Sequence, residues 1–428
     1  MKLIIQIMNY KSCVSYYTVS LLIWLFSIDI TYSQSLTDVQ ISFLKTNIKT
    51  IVRDSLQKLP DWSYLSPYIK NKRIILIGEP NHGSKEIFEL RNSLIKYLHK
   101  DTGAKVILFE SGIGELVNAD MNRVNMSPSQ MINSLFGPWR TKEFEELMEY
   151  VKAENISIAG FDVQRSGESF NLILKEVTRK YKLDSLISYG LESRYGQAMK
   201  ELTNRAAIYD SLSAKTTELM HDYSKIQEDL PIESKENAPK DLLFTNLTLN
   251  NRISYLRYML QFLKDKDWSA RWAARDIGMA ANAHWLIENL YKDQPVIIIG
   301  HNFHIGKYNE NEKVMGEVLG YMHRAKMYTI GFFAGGGSYS DNSGKEVKMS
   351  PPDTAGLDVK QVVSSLDGAV NFLHIPATFS IENDWLNKDI IVNETFIDLK
   401  NNNKMVLSQT FDGVLFVKKV SAAKVGVR

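Results

Sequence analysis

The sequence predicts an α/β protein, a mostly parallel sheet flanked by helices, with a helical insertion forming a second lobe. Three observations carry this. Short unbroken apolar runs recur along the chain, each ending in a polar residue of catalytic type; amphipathic helical patterns lie between the first of them; and one long stretch is helix-rich and has no such run. Strands that alternate with helices imply parallel pairing. Parallel strands are buried on both faces, which explains runs of Ile and Val without polar alternation.

The first run lies in "IILIGEPNHG", residues 74–83, where Ile74 to Ile77 lead into Gly78, Glu79 and His82. A helix is expected from Ser84 to Lys100, with Ser84 as N-cap and Ile87, Leu90, Leu94, Ile95 and Leu98 on one face. The second run, "KVILFE", ends at Glu110. Thr141 is then the expected cap of a helix whose buried stripe is Phe144, Leu147, Met148 and Val151, and the third run, "ISIAGFD", ends at Asp162. From about 172 to 264 the chain is charged and helical, broken by the loop "EDLPIESKENAPK", and reads as a lid or a substrate wall. The helix "SARWAARDIGMAANAHWLIENLY" returns it to the sheet, where "PVIIIGHNFH" carries His301 and His304 and "MYTIGFF" runs into "AGGG". Near the end, "TFDGVLFVKKV" is expected to form an edge strand. The expected division is a leader at 1–33, an N-terminal α/β half at 34–171, the insertion at 172–264 and a C-terminal half at 265–428 that completes the sheet.

At 428 residues, 44% of them hydrophobic, the chain can bury a large core, and its formal charge of +2 with no basic stripe points away from nucleic acid. Lys2 and Lys11, the apolar run Leu21 to Ile28, and the small residues Thr31 and Ser33 before Gln34 read as a cleaved secretory signal. The run is shorter than the roughly 20 apolar residues that span a bilayer. A secreted or periplasmic protein, free of the membrane after cleavage, is therefore expected. Cys13 is the single cysteine and falls in this leader. Thiol catalysis and cysteine-based zinc sites are excluded for the mature chain.

If strand interiors are buried, Glu79, His82, Glu110, Asp162 and His301 open together at the carboxyl ends of the strands, where such sheets bind ligands. Arg91 falls within the apolar stripe of its helix and needs a carboxylate there, Glu79 or Glu110, unless it snorkels to water or serves a structural pair. His82, three residues after Glu79, reads as a general base oriented by that carboxylate or as a polar cap. His301 and His304 could be metal ligands, a proton shuttle or a packed pair, and a metal set would draw on Glu79, His82 or Asp162 as well. No serine-hydrolase elbow, phosphate loop or dinucleotide fingerprint occurs. A hydrolase that activates water with His and carboxylates remains, against a metal-dependent hydrolase or a noncatalytic binding protein.

Taken in order, these blocks resemble the erythromycin esterase family. "IGEPNHGSKE" matches its Gly-Glu-x-x-His-Gly pattern at Gly78, Glu79, His82 and Gly83, with Glu86 following, and "VILFES" supplies Glu110. "WRTKEFEELMEYVKAEN", "IAGFDVQ", "ARDIGMAANAHWL", "GHNFH" and "YTIGFF" extend the resemblance over about residues 70 to 335. It implies hydrolysis of a small-molecule ester or lactone by activated water, with neither a cofactor nor a covalent intermediate. His82 would be the base, Glu79 and Glu110 would orient it and the water, Arg91 would join the same charged cluster, and His301 would assist from across the cleft. Asp162, Arg275, Asp276 and His304 would support the site or contact substrate. Asn81, Ser84 and the "IGHN" segment depart from the family's usual residues, so the resemblance implies the machinery rather than a macrolide substrate.

Overall fold

The computed structural model describes residues 35–51, 60–167, 170–204, 206–234, 237–393 and 403–426. The expected leader, 1–33, lies outside the described residues. No helix among the described residues is long and apolar enough to cross a membrane.

Among the described residues, twelve strands follow one another as β1 (Lys49–Thr50), β2 (Ile74–Ile77), β3 (Val106–Gly112), β4 (Ser157–Asp162), β5 (Val296–Ile299), β6 (Met327–Ala334), β7 (Ser338–Ser340), β8 (Glu346–Lys348), β9 (Val370–His374), β10 (Asp389–Ile391), β11 (Lys404–Val406) and β12 (Gly413–Val417). Eight of them form one sheet in the order β1-β9-β12-β6-β2-β5-β3-β4. From β12 to β4 every pairing is parallel, while β9 joins β12, and β1 joins β9, antiparallel. The remaining four make two short antiparallel pairs, β7 with β8 and β10 with β11.

The apolar runs do what their unbroken pattern requires: all four residues of β2 and of β5 are buried. Alternate residues face opposite layers. Ile74, Leu76, Val106, Leu108, Val296 and Ile298 join one apolar cluster, while Ile75, Ile77, Ile107, Phe109, Ile297 and Ile299 join the other. The second layer is closed by the helices Lys85–Thr102 and Lys142–Ala153, through Leu90, Leu94, Leu98, Phe144, Leu147 and Val151. The first is closed by helices that include Phe170–Tyr181, Leu191–Leu202, Tyr209–Glu228 and Lys240–Asp265, whose apolar residues merge into the same cluster as the sheet face.

One local expectation needs correction, and two others hold in position without the side-chain cap bond. The β12 segment is interior, because it pairs with β6 on one side and β9 on the other and all five of its residues are buried; Lys418 and Lys419 lie past its end. Ser84 does precede its helix, but its hydroxyl donates to Asn81 Oδ1 at 2.8 Å rather than capping a helix amide. Thr141 likewise occupies the N-cap position of its helix without a side-chain cap bond.

Strand order sets the site. β5 lies between β2 and β3, so residues after β5 rise between those after β2 and those after β3. The β3–β4 register slips between Phe109 and Gly112, so that Glu110 and Ser111 together oppose the single residue Phe161. A bulge of this kind re-aims side chains, and Glu110 sits inside it.

Candidate active site

Glu79 leaves the end of β2 with no exposure, and three donors converge on its carboxylate. His82 Nδ1 lies 2.6 Å from Oε1, Trp139 Nε1 donates to the same oxygen at 2.7 Å, and Arg91 Nη1 donates to Oε2. Arg91 is itself fully enclosed, its guanidinium 4.8 Å from the ring centroid of Phe144, 5.1 Å from Phe88 and 5.4 Å from Trp139. Burial pulls its pKa below the ordinary value, and the carboxylates of Glu79 and Glu110 oppose that. The sequence-based demand for a buried partner is met by Glu79. Arg91 stands behind this carboxylate and is sealed from solvent.

The loop between β2 and its helix holds His82 over this charge. Asn81 Oδ1 accepts from Gly83 N at 3.2 Å and from Ser84 Oγ, while the Gly83 carbonyl accepts from Ser340 N at 3.0 Å and Ala423 N at 2.8 Å. Gly83 is needed for this approach, since a Cβ there would fall 2.0 Å from the Ser340 carbonyl oxygen. The His82 side chain is 16% exposed and Glu79 is wholly covered. With Nδ1–H donated to a carboxylate, the lone pair of the neutral ring resides on Nε2. Among the described residues no protein group bonds Nε2.

A second cluster stands over β3 and β4. Glu110 Oε1 accepts from Arg275 Nη2 at 3.0 Å and Oε2 from the His301 backbone N–H at 2.8 Å. Arg275 also grips Asp162 through Nε at 3.1 Å and Nη2 at 2.5 Å, and its Nη1 approaches His304 Nε2 at 3.0 Å. His304 Nδ1 lies 2.8 Å from Asp276 Oδ1, which also accepts from Met315 N. Burial would raise the Glu110 pKa, but the charges of His304, Arg275 and His82 together with the His301 amide bring it down to about 2. Burial also works against the charge of Arg275, and Asp162 and Glu110 outweigh it.

His301 joins the two clusters. Its ring centroid is 5.1 Å from that of His82, its Nε2–H donates to the Pro80 carbonyl at 2.9 Å, and its Nδ1 accepts from Phe303 N at 3.2 Å. Burial, aided by the neighbouring His82 charge, lowers its pKa to about 4. Both ring nitrogens are therefore committed to backbone groups and the ring is neutral near pH 7. Of His82, His301 and His304, His82 is the one with a ring nitrogen that no protein group bonds among the described residues.

Every residue singled out from the sequence is in this assembly, although Asp276 and His304 belong to the Arg275 side and do not touch His82. The metal set Glu79, His82, His301 and His304 is not arranged as ligands, since each ring nitrogen named above points at a protein partner or, for His82 Nε2, stands alone. Among the described residues no group of three or more His, Cys, Asp or Glu side chains is disposed to hold a metal ion.

Two contributors escaped sequence reasoning. Trp139 anchors Glu79, and the available signal was an indole in a buried pre-helix segment, whose N–H must find an acceptor. Asn302, with no exposure, donates through Nδ2 to Phe332 O at 2.7 Å and accepts from Phe332 N at 3.2 Å, while its backbone N–H donates to Glu79 O at 2.8 Å. It thereby ties the ends of β2, β5 and β6 together. Gly78 makes room for it, as a Cβ at that position would lie 2.0 Å from Asn302 Oδ1.

Comparison with known proteins shows what the chain is similar to. YbfO of Bacillus subtilis (strain 168), itself only provisionally named a hydrolase, is 30% identical over 349 residues, covering 73% of this chain and 77% of YbfO. Erythromycin esterase type II of Escherichia coli is 26% identical over 268 residues, covering 58% of this chain and 64% of that enzyme. Among solved structures, a Bacillus cereus protein superposes with a TM-score of 0.72 at 20% identity over 92% of this chain and 100% of its own. A variant of the erythromycin esterase EreC in its open conformation gives 0.60 at 17% identity over 89% of this chain and 99% of its own. The Erythromycin esterase family profile matches residues 100–420, three-quarters of the sequence, and the chain belongs to that family.

Proposed function

We propose that this protein hydrolyses a carboxylic ester or lactone of a small molecule, using a water activated by His82 and forming no covalent intermediate. Family membership supports the coarser part of this reading, a hydrolase acting on a small molecule. The observation that carries the finer part is the His82 imidazole, donating from Nδ1 to the buried Glu79 carboxylate, with Nε2 bonded by no protein group among the described residues and the side chain part-exposed. As Nε2 takes a proton from water, the imidazolium that forms is stabilised by Glu79, whose own charge is held by Arg91 and Trp139. A positioned base of this kind contributes about 10²–10⁴ in rate. Among the described residues no Ser or Thr hydroxyl lies within hydrogen-bond distance of His82, which supports water as the nucleophile rather than a side chain. Glu110 and Arg275 fix the far wall through His301 and Asp162.

The test is a panel of aryl esters, alkyl esters and macrocyclic lactones, each assayed with purified enzyme, followed by acid quench and intact-mass analysis under single-turnover conditions on whichever substrate is cleaved. Turnover with no acyl adduct is expected. Accumulation of an acylated chain would refute the direct attack of water, and the absence of turnover on every ester and lactone would refute the ester-hydrolase reading. From the N-terminal sequence we also propose a cleaved leader and a location outside the cytoplasm.

A further inference from the structure

We propose that the C-terminal segment 420–426 is a strap that positions the two loops carrying His82 and Trp139. It crosses both of them by backbone hydrogen bonds. On the first loop, Ala423 N donates to Gly83 O at 2.8 Å, Lys85 N donates to Ser421 O at 2.9 Å, and Ser84 and Ala422 form an antiparallel bridge. On the second, Gly426 N donates to Arg140 O at 2.8 Å and Thr141 bridges Val425.

Side chains lock the strap in place. Glu86 accepts from Ser421 N at 2.6 Å and from Ser421 Oγ at 2.7 Å, and Ser340 Oγ donates to the Ala423 carbonyl at 2.5 Å. Val420 and Ala423 are each 2% exposed. The bonded residues on one side are the immediate neighbours of His82, and on the other the immediate neighbours of Trp139. Those two side chains meet on the same oxygen, Glu79 Oε1. One segment distant in sequence thus sets the separation of both donors from the carboxylate they share. Glu86, three residues past Gly83, acts here as a positioning residue that works through the strap and does not touch a substrate.

The test uses the full-length protein with Glu86→Ala, Glu86→Gln and Ala423→Pro, the last removing the strap N–H that reaches Gly83 O and leaving the Ser340 N–H in place. Two readouts are taken. The first is the downfield proton resonance of His82 Nδ1–H, assigned by its loss in His82→Asn, which reports the His82–Glu79 bond directly. The second is kcat and KM on an ester or lactone that the panel shows to be cleaved, and this arm rests on the hydrolytic reading above. Glu86→Ala and Ala423→Pro are expected to shift or broaden the resonance and to lower kcat roughly 10–10²-fold with KM within about twofold, and Glu86→Gln to recover most of both. An unchanged resonance and kcat, with only thermal stability reduced, would overturn the positioning role. If Ala423→Pro does not fold, Glu86→Ala decides alone. If no ester or lactone is cleaved, the proposed activity fails while the resonance still decides the strap.

Discussion

Glu79→Gln isolates the charge at the centre of the site, because the amide nearly matches the carboxylate in shape and removes only its second acceptor oxygen. Three donors converge on Glu79, two at Oε1 and one at Oε2. If the Gln oxygen faces His82 and Trp139, its NH2 confronts Arg91, and a fully enclosed guanidinium loses its carboxylate. Breaking a buried pair in this way costs about 3–5 kcal/mol. If the amide flips, its NH2 donates to His82 Nδ1, the imidazole proton moves to Nε2, and the base is lost, with the Trp139 N–H left unsatisfied. Either orientation removes the charge that stabilises the imidazolium, and each also leaves one of the converging donors without its acceptor. Unfolding entropy scales with length at about 2.1 cal/mol/K per residue. For 428 residues the stability loss corresponds to a fall in Tm of about 3–6 °C, and loss of the base lowers kcat by roughly 10²–10⁴. Scanning calorimetry and steady-state kinetics on Glu79→Gln, Arg91→Met and the double variant complete the cycle. Arg91→Met leaves an apolar side chain among Phe88, Trp139 and Phe144, so the double variant should regain stability relative to Glu79→Gln while staying inactive. Additive destabilisation in the double variant would refute the buried pair, and near-normal kcat in Glu79→Gln would refute the carboxylate's role.

The second cluster gives further tests. Arg275→Lys replaces a fork that spans Asp162, Glu110 and His304 with a single ammonium, and should destabilise the fold by about 3–5 kcal/mol, read by urea titration. Stability should also fall in acid: Glu110 has a folded pKa of about 2, below its ordinary value of 4.5, so its contribution is present above pH 4.5 and is lost as pH drops towards 2. Glu115 behaves oppositely, because burial raises its pKa to about 7 against the opposing charge of Arg252, 3.0 Å away. A raised carboxyl pKa stabilises the fold fully below pH 4.5, and that contribution disappears as pH rises through 7. Melting curves from pH 5 to pH 9 should therefore decline for the wild type and flatten in Glu115→Gln. An equal decline in both would remove Glu115 as the cause.

The sheet was legible because its parallel strands are continuous apolar runs, and the site was legible because each run ends in a residue that has no place in a core. Arg91 could be read from helical spacing alone, since a cation within a buried stripe needs an anion. The sequence pattern did not show that Arg91 would be sealed behind Glu79, a distinction between holding a carboxylate and meeting a substrate that depends on the packing of Phe88, Trp139 and Phe144. His301 illustrates the same limit: its position after a strand was evident, but the commitment of both ring nitrogens to Pro80 and Phe303 is a matter of loop geometry. The interior place of β12 was hidden for a different reason, because five apolar residues near a chain end read alike whether one or both edges are paired. Trp139, Asn302 and the C-terminal strap act over long sequence separations, where local periodicity carries no signal.

The most direct measurement is kcat/KM of His82→Asn against wild type on the best ester or lactone substrate, with circular dichroism to establish that both are folded. Asparagine keeps a polar side chain in the loop and has no nitrogen that can accept a proton near neutral pH. The account predicts a fall of about 10²–10⁴ with native-like spectra. Hydrolysis within a few-fold of wild type would contradict it.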